Sequence, residues 1–101
     1  MALLQLTTIP LGTASPSVGD YVADIQTELT RLNIPFCLND MGTVIEGNIS
    51  ELLAIIEKIY EIPFQRGARR VVTQIVIDDR RDKAVALGDK VTAVADILAG
   101  R

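Results

Sequence analysis

Apolar and polar positions along this chain fall into segments with two different periods. Leu3 to Leu11 is an apolar run closed by Pro10 and Gly12, which predicts a first strand. From Val18 the apolar residues recur at Val22, Ile25, Leu29 and Leu32, the spacing of one helical face. Asn33 and Pro35 end that helix, because a residue before proline is driven out of the α region. Phe36 to Leu38 starts a second strand, Asn39-Asp40-Met41-Gly42 supplies a turn, and Thr43 to Glu46 makes a third. So short a connection makes these two strands an antiparallel hairpin.

A second helical stripe follows at Leu52, Ile55, Ile56, Ile59 and Tyr60, with Asn48 or Ser50 as caps and Pro63 and Gly67 as stops. Arg69 to Asp78 alternates as a fourth strand. Val71, Thr73, Ile75 and Ile77 fall on one side, and Val72, Gln74 and Val76 on the other. Beyond the charged turn DDRRDK, the spacing of Leu87, Val91, Val94 and Leu98 predicts a further helix. The order is β-α-β-β-α-β plus a C-terminal helix. That is an α+β, ferredoxin-like sandwich with an antiparallel four-stranded sheet. Right-handed crossovers place both connecting helices on one sheet face and leave the other open. Strands one and four carry aliphatic residues on both sides, so either the C-terminal helix or another copy must cover the open face. A homo-oligomer is the expectation, with Ala84 and Ala95 small enough for close helix contact.

Composition narrows the function classes. With 101 residues the chain is expected to form one domain over 1–101. Only four residues are aromatic (two Tyr, two Phe) and none is Trp, which does not suit base stacking. A net charge of −3 argues against nucleic acid, which needs a basic surface. There is no His, so Ser-His and Cys-His pairs and Cys/His zinc sites are excluded, and no catalytic residue, metal or cofactor is expected. The lone Cys37 is expected to pack as a small apolar group. The N-terminus has no basic n-region, and Pro10 and Gly12 stop its apolar run far short of a membrane span. A soluble cytoplasmic protein is expected.

Two places carry candidate chemistry. In PLGTASPSVGD, Thr13, Ser15 and Ser17 sit near a helix N-terminus that offers free N–H donors; the segment lacks the lysine and spacing of a phosphate loop. In MGTVIEGN, Glu46 stands at the edge of a core strand beside Val44 and Ile45. An unpaired buried carboxylate is too costly, so Glu46 must pair with an Arg or Lys or face a cationic or donor-bearing ligand. Asn39 and Thr43 lie at the hairpin beside it and could complete a polar pocket. Strand alternation sets Thr43 and Glu46 on opposite faces, so one cavity holds both only at a strand end or between subunits. The acids and arginines of DDRRDK are expected to neutralise one another, and Arg66, Arg69 and Arg70 to be solvated.

Three blocks carry a resemblance: IPLGT at 9–13, MGTVIEG at 41–47 and GARRVVTQIVIDDRRDK at 67–83. With Tyr21-Val22-Ala23 and Lys90-Val91, they resemble the small YkoF-like, thiamine-binding proteins over essentially the whole chain. The resemblance implies a ferredoxin-like fold, a homotetramer built from dimers, and a small-molecule-binding protein without enzymatic activity. Its implied ligand is thiamine or the hydroxymethylpyrimidine part of thiamine. Carried onto the matching positions, it implies Thr13, Ser17, Asn39, Thr43 and Glu46 as ligand-binding residues. The alternative is a regulatory module that senses another metabolite at a subunit interface.

Overall fold

In a computed structural model, residues 1–14 and 18–101 are described. The first strand, β1 (Ala2–Leu11), runs through the middle of a four-stranded antiparallel sheet. Helix α1 (Gly19–Arg31) leads to the hairpin of β2 (Phe36–Asn39) and β3 (Gly42–Gly47). Helices α2 (Ile49–Tyr60) and α3 (Ile62–Gln65) then lead to β4 (Arg70–Asp79), and α4 (Asp89–Ala99) ends the chain. The strand order is β2-β3-β1-β4, the order of a ferredoxin-like sandwich. Register follows the alternation in the sequence: Leu4 pairs with Ile45 on one side and Ile77 on the other.

Helix ends are set by local chemistry. Asn33, at φ 57°, closes α1 in a left-handed turn; Ile34 N–H donates to the Leu29 carbonyl and Asn33 N–H to the Thr30 carbonyl. The same double bond recurs after α3, where Ala68 N–H reaches the Pro63 carbonyl and Gly67 N–H that of Phe64. Gly67 takes φ 110°, which glycine adopts without a Cβ clash. Asn48 precedes α2, as expected of a cap, but its side chain donates to the Glu51 carboxylate rather than accepting from the backbone.

The core lies between the sheet and its two crossover helices. Leu4 and Leu6 of β1 and Ile45 of β3 pack with Ile25 and Leu29 of α1 and Leu52, Ile55 and Ile59 of α2. Fully burying such a side chain contributes about 1.5–3 kcal/mol before entropy is counted. Tyr60 departs from the expected stripe: it is exposed and lies 5.8 Å, centroid to centroid, from Phe64. Cys37 does not pack as an apolar core residue either. It points to the open side of edge strand β2 and is exposed. Its partner across the hairpin is Val44, on the face that no crossover helix covers.

The open face is where the chain looks unfinished. Val72 and Val76 of β4 are exposed there, and α4 does not cover them. No residue of α4 is buried, and Val91, Val94, Ile97 and Leu98 stand in solvent. Leu87, expected in register with them, precedes the helix instead. The molecule measures 49 × 31 × 21 Å, with a radius of gyration of 15.3 Å. A compact chain of this length has a radius of about 13 Å. Its accessible surface is 6831 Å², against about 5,600 Å² expected for this mass. A projecting α4 accounts for the elongation, since its residues are exposed throughout.

Candidate functional site

A concavity opens where the end of β1, the start of α1 and the β2–β3 hairpin meet. Its volume is about 850 Å³, within the size range of small-molecule sites. Ile9, Val22 and Met41 give it apolar walls; Gln26, Asn39 and Thr43 give it polar ones. Asp40 adds a carboxylate from the hairpin turn.

Each polar wall is placed by its element. Thr43 is the second residue of β3 and pairs with Leu6, so its side chain faces α1 and is 4% exposed. Gln26 lies one turn beyond Val22 on α1 and donates from Nε2 to Thr43 Oγ1 at 2.9 Å. Its Oε1 is buried and has no hydrogen-bond partner among the described residues. An unmet buried acceptor costs about 1–3 kcal/mol. The hairpin turn is held against β1 by Thr7 Oγ1, which donates to the Met41 carbonyl at 3.0 Å. Gly42 lets the two strands approach: a Cβ there would sit 2.9 Å from the Leu6 carbonyl oxygen and 2.9 Å from Thr7 Oγ1.

The structure divides the expected site residues. Asn39 and Thr43 come together around the cavity. Thr13 lies in the connection between β1 and α1 and is not part of the cavity wall. Ser17, with the candidate cap Ser15, falls outside the described residues. Glu46 points to the opposite sheet face, as alternation requires, and among the described residues it pairs with neither Arg nor Lys. Its Oε1 accepts the backbone N–H of Leu87 at 2.6 Å, across 41 positions of sequence. The carboxylate thus tethers the segment leading into α4. Gln26 and Asp40 were not anticipated. The only signal for Gln26 was a polar residue four positions after Val22 and three before Leu29, at the margin of the buried stripe.

Several charged groups elsewhere are paired, among them Arg66, which was expected to be solvated. Arg66 grips the Asp24 carboxylate with two hydrogen bonds, tying the end of α3 to α1. Hydrogen bonding by Arg66 lowers the Asp24 pKa below its ordinary value against a smaller opposing effect of desolvation, and the guanidinium is raised in turn. Within the DDRRDK turn Arg80 pairs with Asp82 and Arg81 with Asp79, as expected, whereas Asp78 pairs with Lys90 of α4. Among the described residues no three acidic or Cys side chains converge as a metal site, and no helix is long and apolar enough to cross a membrane.

Comparison with known proteins matches this frame. The UPF0045 protein YqgV of Bacillus subtilis is 48% identical over 98 residues, covering 93% of this chain and 94% of its own length. The crystal structure of hypothetical protein MJ1052 from Methanocaldococcus jannaschii shares the fold with a TM-score of 0.81 at 28% identity. That match covers 94% of this chain and 96% of the other. A Thermotoga maritima protein provisionally assigned to thiamine biosynthesis or salvage gives a TM-score of 0.76 at 14% identity, a likeness of fold. It covers 92% of this chain and 97% of that one. Residues 4–95 match the family described as thiamine-binding protein, and the chain belongs to that family.

Proposed function

We propose that this protein binds thiamine or its hydroxymethylpyrimidine part in the cavity between α1 and the β2–β3 hairpin, and releases it chemically unchanged. The observation that carries the reading is the cavity itself: about 850 Å³, apolar on most sides, with a few convergent polar groups. Family membership supplies the ligand class. Asn39 and Thr43 are assigned to the polar wall. Thr13 lies in the stretch between Ile9 and Val18, both of which line the cavity, and is assigned to its rim; Ser17, from the same stretch of sequence, is kept as a proposed ligand contact. Asp40, not Glu46, is the carboxylate on the cavity side, and it would face the cationic thiazolium of thiamine. Glu46 is assigned to the tether described above.

Self-association into a homotetramer belongs to the same proposal. It is supported by the surface in excess of a compact monomer and by the exposed aliphatic residues of β4 and α4.

Isothermal titration of purified protein tests the binding. Thiamine and hydroxymethylpyrimidine should each give saturable heat. Replacing Asp40 with Asn should weaken thiamine by about two- to fivefold and leave the uncharged pyrimidine unaffected. Neither heat nor a thermal shift at millimolar concentrations of both ligands would overturn the proposal.

A further inference from the structure

Gln26 holds a buried acceptor that none of the described residues satisfies. Its amide is held at one end only, by the bond from Nε2 to Thr43 Oγ1 at 2.9 Å. The oxygen at the other end lies among cavity-lining residues, buried and without a partner among the described residues. Native interiors satisfy almost all such groups, so an unmet one in the wall of a cavity calls for an explanation. Here the side chain offers an acceptor, and an occupant can supply the missing donor. The terminal torsion of glutamine is broad, so a small rotation that keeps Nε2 on Thr43 Oγ1 can present the oxygen to an occupant.

We infer that Gln26 is a specificity-determining residue that selects an amino-substituted heterocycle, with its Oε1 accepting from the ligand's exocyclic N–H. This rests on the cavity being the ligand site, as proposed above. The polarity of the selection follows from the hydrogen-bond inventory. A ring amine donates and meets the orphaned oxygen. A ring carbonyl in the same place brings a second acceptor and leaves both oxygens unpaired. Thr43 orients the amide: while Thr43 Oγ1 receives Nε2–H, the oxygen is the free end. Discrimination of this kind is sharper than discrimination by shape, because the wrong ligand leaves a buried polar group unmet.

Thiamine and its 4-oxo analogue, which differ in the group at issue, provide the test. Wild-type protein should bind the amino form at least about tenfold more tightly by calorimetric titration. Gln26→Met keeps the length of the side chain and removes both amide atoms. It should still bind thiamine, but with the preference reduced to within about threefold. Thermal unfolding of the variant establishes that it is folded. If it is not, Gln26→Glu replaces it: its carboxylate keeps an acceptor, so a preference for the amino form should persist. Wild-type binding of both compounds with equal affinity, or a preference for the 4-oxo form, would overturn the role of Gln26 while leaving the site intact. So would a full preference retained in folded Gln26→Met, or a preference lost in Gln26→Glu. Binding of neither compound to the wild-type protein would overturn the site reading and this inference together.

Discussion

Gly42 shows how closely the cavity depends on single residues. It is placed where β3 begins, against the Leu6 carbonyl and the Thr7 hydroxyl. The Leu6 oxygen is backbone in the central strand and cannot move aside cheaply. Gly42→Ala is expected to destabilise the protein by about 1–3 kcal/mol, measured by urea unfolding. A loss below about 0.5 kcal/mol, the ordinary range for surface changes, would mean that the hairpin and β1 lie farther apart than described. At this scale the sequence was partly legible. Thr43 and Asn39, which line the cavity, could be placed beside each other because turn chemistry located the hairpin. Gln26 could not be placed with them, because it reaches the cavity through its contact with Thr43, an element away in the fold; Asp40 lies in the hairpin turn itself, where its residue type reads as turn chemistry.

At the scale of elements, the C-terminal segment is the informative one. Its helix buries nothing, yet its start is held at two points on the open face. Glu46 accepts the Leu87 N–H, and Lys90 pairs with Asp78 at 2.7 Å. Lys90 and Asp78 are largely exposed, so that pair contributes little. The Glu46 bond is part-buried and charge-assisted, and is the stronger of the two. Glu46→Ala is therefore expected to accelerate amide exchange across 85–90 while leaving β1, β3 and α1 protected. Global stability should fall by about 1–2 kcal/mol. Unchanged exchange at Leu87 would show that the tether does not hold the segment. From sequence, Glu46 could only be assigned a partner of opposite charge or a ligand. A backbone amide 41 positions away leaves no signature in residue type.

For the molecule as a whole, the unanswered demand is coverage of apolar surface. Val76 is 64% exposed on β4 and Val91 75% exposed on α4. A second copy can bury what this chain leaves in water, and that burial is favourable at about 25 cal/mol per Å². Sedimentation of the wild-type protein is expected to give a tetramer. Val76→Lys combined with Val94→Glu should shift it toward smaller species with the fold retained by circular dichroism. A wild-type monomer at tens of micromolar concentration would refute the assembly.

The sequence by itself determined the elements, their order and their faces. Strand alternation, helical spacing and the stops at Asn33, Pro63 and Gly67 are local or short-range, so periodicity and turn chemistry carry them. β4 lies one residue later at each end than its alternation indicates, because ladder bonds to β1 set its limits. Only the tertiary structure decided what lies across from what. It put Gln26 against Thr43, left Cys37 in solvent on the open face, and gave Glu46 a backbone amide as partner. Each of these turns on contacts between residues far apart in the chain, and such contacts exist only once the sheet has brought its strands together.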